Sequence, residues 1–375
     1  GKLKVFNVSW PMHPQPLPDE IFSSWMARAA VCNGEGLSRF IKLTIPELRA
    51  IDKSIDNFLS ETMIKRVSTK MNTSFRCVHQ TTLDSYVGFV CETDTNRCHR
   101  KYNILNSGET SALRYFQQFC PICLKEGKAY FRKTWRLSFV TVCCVHNCLL
   151  EDRCSKCGSP VLVMSNKHQD KRRTYLGSIS TCHKCLHDLS DIDRRPALES
   201  VINDTKLYLK VLNRGFYELE NERWIYSFSF FLVLRHFIQI YASKAYSQCP
   251  QRKVVDTDTL TNDMRYDAMS DMAGIFNDWP SNFVEYCTKR DISYSLITPI
   301  IKANSGKVPF WLDEQIKPYT YARHQEPTIS SVICAVEIIR RAGDRINITA
   351  VNKFMGYQDS RVIKTLIRTL RRPHV

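Results

Sequence analysis

Eight residues between positions 120 and 185 have the types and spacing of a metal site: Cys120 and Cys123, Cys143 and His146, Cys154 and Cys157, and Cys182 and Cys185. Two residues separate the members of every pair. Donors at that spacing can be offered from one tight turn to one tetrahedral ion, and two such turns complete its coordination. Four pairs therefore predict two Zn2+ ions. Buried free cysteines or disulfides are the competing reading, and the regularity of the spacing argues against it. With every position of each ion filled by protein, none is left for an activated water, so the sites are expected to be structural rather than catalytic.

The spacing assigns Cys120, Cys123, Cys143 and His146 to one ion, with 19 residues between the pairs, and Cys154, Cys157, Cys182 and Cys185 to the other, with 24. Both lengths suit a zinc-ribbon hairpin. An interleaved pairing would use the same eight residues, and the sequence leaves it open. Cys144 and Cys148 flank His146 and are substitutes on paper. Cys144 is the less suitable, because neighbours in an extended segment point to opposite sides. His183 and His187, beside the last pair, read as surface or supporting residues.

The elements that must position these donors come from a chain of 375 residues, long enough for two or three domains. Its 16 cysteines, many in close pairs and without a secretory leader ahead of them, point to metal binding in a reducing compartment, the bacterial cytoplasm. No apolar run is long enough to span a bilayer, so no membrane partner is expected. The segment from Phe228 to Ile240 contains Arg235 and His236 and reads as a core helix. A formal net charge of +16 favours a polyanionic partner, most simply nucleic acid.

The expected fold is mainly α, with a small zinc-stabilised β-hairpin (zinc-ribbon) module and helix-turn-helix elements. Three domains are expected: a helical one at 1–110, the double zinc ribbon at 111–195 and a helical one at 196–375. Pro11, Pro14, Pro16 and Pro18 precede a helix from Glu20 to Ala30, capped by Asp19, with Ile21, Trp25 and Ala29 on its apolar face. Gly34 and Gly36 end it. Further helices are predicted from Leu37 to Leu43 and from Pro46 to Phe58. Tyr130 to Val140 reads as a strand, with Trp135 over the metal hairpin. Gly158 supplies the turn after Cys157, and Lys167 to Arg173 is a solvated basic loop. Later helices are predicted over Ala197 to Leu212, Trp224 to Ala245, Asp258 to Phe276, from Ser281, and over Thr328 to Arg341.

The last forty residues form a second candidate site. Ile348 to Met355 is predicted helical with Thr349 as cap, Gly356 and Tyr357 break it, and Arg361 to Leu370 follows, capped by Asp359 or Ser360. This pattern over about 348–372 is that of a helix-turn-helix. From Arg340 onward there are nine Lys or Arg against two Asp. Arg361, Lys364 and Arg368 share one side of the second helix, opposite Val362, Leu366 and Leu370. With Arg371 and Arg372 they are the candidate nucleic-acid contacts.

The chain resembles the TniQ/TnsD family of transposon target-selection proteins. The residues that carry the likeness are Pro18 to Ala30, the Cys-Pro-x-Cys of Phe119 to Leu124, the Trp-Arg-Leu of Trp135 to Leu137, the Cys-x-x-His of Cys143 to His146, and Cys154 to Gly158. Phe276 to Pro280, followed by Phe283, adds a further element. The likeness is strong over residues 15–195 and loose beyond. Cys144 and Cys148 stand where the family more often has proline, glycine or another non-ligand. The resemblance implies a non-enzymatic adaptor that selects the insertion site and recruits an AAA+ transposition regulator. TniQ proteins of CRISPR-associated transposons bind an RNA-guided Cascade ribonucleoprotein, with its guide RNA, as a homodimer; the TnsD type reads target DNA directly. The length of this chain suits the first type. No acidic triad, phosphate loop or Ser/His/Asp signature is present, and Asp191 and Asp193 read as loop residues.

Overall fold

The computed structural model describes residues 9–48, 55–57, 59–91, 102–105, 115–163, 178–219, 223–246, 256–292, 296–297, 308–322, 326–357 and 360–370. It divides into two compact units, one of residues 1–290 with 303–306, the other of 291–302 with 307–375. Helices dominate, and the strands are short hairpins.

The first unit begins with α1 (Phe22–Cys32), α2 (Leu37–Thr44), α3 (Glu61–Lys70) and α4 (Phe75–Thr81). Phe22, Trp25, Met26, Phe40, Ile41, Ile64, Val67 and Val78 form their common core. Ile21, Trp25 and Ala29 are fully buried, the face the helical period predicts. Ser60 and Ser74 cap α3 and α4 by accepting from the amides of Met63 and Cys77. Two expectations fail here. Asp19 does not cap α1; it takes a left-handed conformation (φ 59°), and its carboxylate accepts from the amide and hydroxyl of Thr134. That long-range pair replaces the local cap. Of the helix predicted from Pro46 to Phe58, the described residues form turns at Pro46–Glu47 and Ile55–Asn57; residues 49–54 and 58 lie outside the described ones. Asp56 explains the second turn: its carboxylate is buried, accepting from the Ser23 amide at 2.7 Å and from Arg136 at 3.1 Å.

Tyr130 to Val140 is not a strand. A 3-10 turn spans Lys133–Arg136, between single bridges at Arg132 and Leu137. Strand alternation cannot meet its side-chain partners: Thr134 reaches Asp19, Trp135 packs edge-on against Phe131, and the fully buried Arg136 reaches Asp56 and the carbonyl of Leu105. The segment is a strap over α1, held by Ile21 N–H to Phe131 O and by Phe131 N–H to the Ser24 hydroxyl, both 3.0 Å.

The hairpin β1 (Val142–Cys143) and β2 (Cys148–Leu149) follows α5 (Pro121–Lys125). Beyond it come α6 (Glu199–Arg214), β3 (Phe216–Leu219), β4 (Arg223–Tyr226), α7 (Ser227–Tyr246), α8 (Asn262–Asp271) and α9 (Ser281–Lys289). Trp224 belongs to β4, not to a helix: its side chain stacks on Phe216 across the hairpin at 4.9 Å, and α7 starts at Ser227. Of the helix predicted over Asp258 to Phe276, only α8 is α-helical, with a 3-10 turn at Thr257–Thr259 before it and turns after it. Buried α7 accommodates Arg235 because Asp258 and Asp256 receive its guanidinium at 2.6 and 2.8 Å. Phe139, stacked on Phe231 at 4.5 Å, joins the cluster of Tyr208, Tyr217, Phe230 and Phe276.

The second unit contains α10 (Phe310–Ala322), α11 (Ile329–Arg341), α12 (Ile348–Met355) and α13 (Arg361–Leu370). Val332, Val336 and Ile339 of α11 pack with Val351, Ile363 and Ile367. Thr328 caps α11. Asn347, rather than Thr349, caps α12, because Asn347 holds the extended backbone of a cap while Thr349 is already inside the helix. Gly356 closes α12 at φ 77°, and Ser360 caps α13; Asp359 lies outside the described residues. Among the described residues, no helix is long and apolar enough to cross a membrane.

Asp204 of α6 gives a test of this packing. Burial raises its carboxyl to about 6, against the lowering effects of the Gly274 amide and the Asn277 side chain. Between its ordinary value of 3.8 and about 6 the folded chain keeps a proton that the unfolded chain releases. The associated stability is present below that window and lost as pH rises through it, about 2–3 kcal/mol. Asp204→Asn should therefore match the parent in thermal stability near pH 4 and exceed it near pH 7. A difference that does not change with pH would refute the buried ionisation.

Candidate metal centres

The eight donors assemble into two sequential clusters, each with its metal-binding atoms within 4.8 Å of one another: Cys120, Cys123, Cys143 and His146; Cys154, Cys157, Cys182 and Cys185. In the first, Cys120 is the residue before α5, Pro121 opens that helix, and Cys123 lies one turn along it, so both sulfurs project the same way. Cys143 ends β1, and His146 stands in the four-residue loop to β2. Cys123 lies 3.8 Å from Cys143 Sγ and 3.2 Å from His146 Nδ1; Cys120 lies 3.4 Å from that nitrogen. His146 Nε2 meets the Glu126 carboxylate at 3.0 Å, which fixes Nδ1 as the ligand atom.

The second cluster is built from two turns with one hydrogen-bond plan. Gly158 N–H donates to Cys154 O and Cys154 N–H to Ser159 O; Leu186 N–H donates to Cys182 O and Cys182 N–H to His187 O. The residue after each second cysteine is left-handed, Gly158 at φ 66° and Leu186 at φ 61°. Glycine adopts that conformation without cost, whereas Leu186 is held in it by the turn. Across the turns Cys154 faces Cys185 at 3.6 Å, and Cys157 faces Cys182 at 3.7 Å. Lys156 and Lys184 occupy equivalent positions, and the Lys184 amide donates to Cys182 Sγ at 3.5 Å.

These separations fit zinc. With Zn–S bonds near 2.3 Å, the edge of a tetrahedron is about 3.8 Å. The protonation pattern fits as well. Hydrogen bonds from Cys120, Cys123 and Cys148 hold Cys143 well below the usual thiol range, while the Cys120 and Cys143 sulfurs push Cys123 above it. At Cys157 burial opposes ionisation, but Ser159 and the Cys185 and Cys182 thiols bring it down to about 6; Cys154, chiefly through burial, is pushed up to about 12. Thiolates packed this closely repel one another, and a divalent cation among them would let all of them ionise together.

Helix α8 ties the first centre to the rest of the unit. Asn262 Nδ2 donates to the carbonyls of Thr141 and Leu150, its amide to Asp152, and the buried Arg265 to Ser138 O and Gln118 Oε1. Arg195 binds Glu151 through two bonds of 2.7 and 3.0 Å. Nothing in the local spacing of the cysteines signalled these supports; Asn262 and Arg265 stand more than a hundred positions from their partners. Cys154 and Cys182 of the second centre line a cavity of about 440 Å³ together with Val161, Leu189 and Ala27, Ala30 and Val31 of α1.

At the second candidate site, Arg361 and Arg368 of α13 are exposed, whereas Lys364 is half-buried at the edge of the face that buries Ile363 and Ile367. Val362 and Leu366 are half-buried against that core and Leu370 is exposed, so the apolar face is centred on the two isoleucines. Arg371 and Arg372 lie outside the described residues. The Glu326 carboxylate accepts from the Ser360 hydroxyl and, at 3.1 and 3.4 Å, from the amides of Arg361 and Val362. These contacts, the hydroxyl first, hold its carboxyl below the ordinary value.

The two clusters define a class, a protein with two closed sites suited to structural zinc and set in a helical frame, one of three cysteines with a histidine and one of four cysteines. Residues 11–150 match the family model described as TniQ. The matched stretch contains α1 to α5, the strap and all four donors of the first cluster, and ends before the second. No curated protein matches the chain.

Elemental analysis of the full chain should give two zinc ions per molecule. Cys154→Ser should lose one and lower the melting temperature, since each structural zinc contributes folding free energy of about 10 kcal/mol in small modules. Retention of both ions by Cys154→Ser would eliminate the four-cysteine assignment.

Proposed function

We propose that this protein is a non-enzymatic adaptor for target-site selection in DNA transposition. It links an RNA-guided Cascade ribonucleoprotein, or target DNA, to an AAA+ transposition regulator, and works as a homodimer. The observation that carries the reading is the TniQ match over residues 11–150, which includes the first metal cluster and the helices strapped to it. Filled coordination spheres support a scaffold rather than a reaction centre. The net charge of +16 supports a nucleic acid or ribonucleoprotein partner.

The second reading, direct recognition of an attachment site in the TnsD manner, draws on the basic face of α13. Helices α12 and α13 around Gly356 then form a helix-turn-helix, with Arg361, Lys364, Arg368, Arg371 and Arg372 toward DNA.

The two readings separate in titrations of purified full chain with target and unrelated duplexes at several salt concentrations. The adaptor reading expects association with the AAA+ regulator or Cascade, and equal, salt-sensitive DNA binding; no association with either would reject it. Replacing Arg361, Lys364 and Arg368 by Ala should flatten the logarithmic salt dependence by about 2–3, at about 0.9 per phosphate contact. An unchanged slope would exclude this face as the DNA contact.

A further inference from the structure

The first centre has one sulfur more than a tetrahedral ion can use. Cys148 opens β2, directly opposite Cys143 in the hairpin register, and its side chain is fully buried. Its Sγ lies 3.7 Å from Cys120 Sγ. That separation from Cys120 matches the edge of about 3.8 Å expected between two sulfurs on one zinc. On its other side Cys120 has the His146 imidazole at 3.4 Å. Cys120 therefore has two further donors beside it, one on a strand and one in a loop. The strand donor is locked by its pairing. The loop donor is retained through its outer nitrogen by Glu126, whose carboxylate is 64% exposed.

We propose that Cys148 is a reserve ligand of this centre, which closes on three cysteines and His146 with the imidazole in place, and on four cysteines when the imidazole swings out. In the exchange the Zn–N bond to Nδ1 breaks and a Zn–S bond to Cys148 forms. The proton leaving the Cys148 thiol is taken by the freed imidazole, so the centre and its surroundings keep their total charge. The device holds the ion while the 144–147 loop moves, which permits a partner to engage that loop without unfolding the module. The competing role for Cys148 is that of a small buried apolar residue behind the ligands. That role leaves water as the fourth ligand once His146 is gone, with no added thiolate.

This inference rests on the metal-centre reading, and cobalt substitution tests the two separately. Full-length chain is loaded with Co2+, and metal per chain is measured together with the thiolate-to-cobalt charge-transfer absorbance. The parent should hold two ions on seven thiolates. His146→Ala should still hold two, with the charge-transfer band increased by about one part in seven as an eighth thiolate joins. The double variant His146→Ala with Cys148→Ser should hold one. Loss of one cobalt by His146→Ala alone, or two cobalts retained with an unchanged charge-transfer band, overturns the reserve ligand and leaves the centre intact as a reading, whereas a parent that binds fewer than two overturns both. If His146→Ala does not fold, Cys148→Ser decides: with His146 present it should release its first zinc to a chelator about tenfold faster than the parent, and an equal rate overturns the proposal.

Discussion

Thiols held at 3.6–3.8 Å from one another cannot all ionise without a cation between them, and the centre of this chain depends on that constraint. The first cluster joins α5 to a hairpin of two residue pairs, and the second joins two turns, each closed by a single bridge, Arg153 with Pro160 and Thr181 with Asp188. Neither has enough regular structure to hold its donors in place by backbone pairing alone. A metal crosslink between each pair of turns would do the work of a sheet there.

That substitution leaves a second problem, because irregular backbone that is buried still needs hydrogen-bond partners. The structure meets it with long polar side chains rather than with more strand. Asn262 takes the carbonyls of Thr141 and Leu150; Arg265 takes those of Ser138 and Leu260; Arg136 takes that of Leu105. A guanidinium carries five donors in a fixed fork, so one buried arginine can satisfy several carbonyls with no sheet register among them. Burial disfavours the charge of both arginines, and nearby carboxylates oppose that effect: Asp56 at Arg136, and Asp152 with Asp258 around Arg265. This is why the metal centres and the helices from α6 to α9 form one compact unit instead of a module on a linker.

The parts of this arrangement that were legible in the sequence are those set by near neighbours. A Cys-x-x-Cys turn depends on residues within a single turn of chain, so the grouping into pairs and the left-handed Gly158 could be read directly. Helix periodicity placed Ile21, Trp25 and Ala29 inside for the same reason. The failures occur where a distant partner outweighs a local preference. Asp19 precedes a helix and has the chemistry of a cap, yet Thr134, 115 positions away, takes its carboxylate. Bulky residues from Tyr130 onward suggested a strand, but Arg136 must reach Asp56, 80 positions earlier, and the chain turns to let it. Trp224 looked helical beside α7 until Phe216 supplied a stacking partner across a hairpin. A single sequence carries no local trace of such pairs.

The end of α13 bears on how the second unit could meet a nucleic acid. In a helix-turn-helix the first residues of the recognition helix approach the bases, and its free amides are a natural place for a phosphate. Here Glu326 already accepts from the amides of Arg361 and Val362 and from the Ser360 hydroxyl. A phosphate at that end would have to displace a carboxylate of the same sign, at a position where the carboxylate is stabilised by the hydrogen bonds it would lose. Lys364 and Arg368 lie further along the helix, beyond the amides that Glu326 occupies. The placement of one glutamate therefore fills the phosphate position at the start of the helix and leaves any nucleic-acid contact of α13 to its side chains, of which Arg361 and Arg368 are exposed.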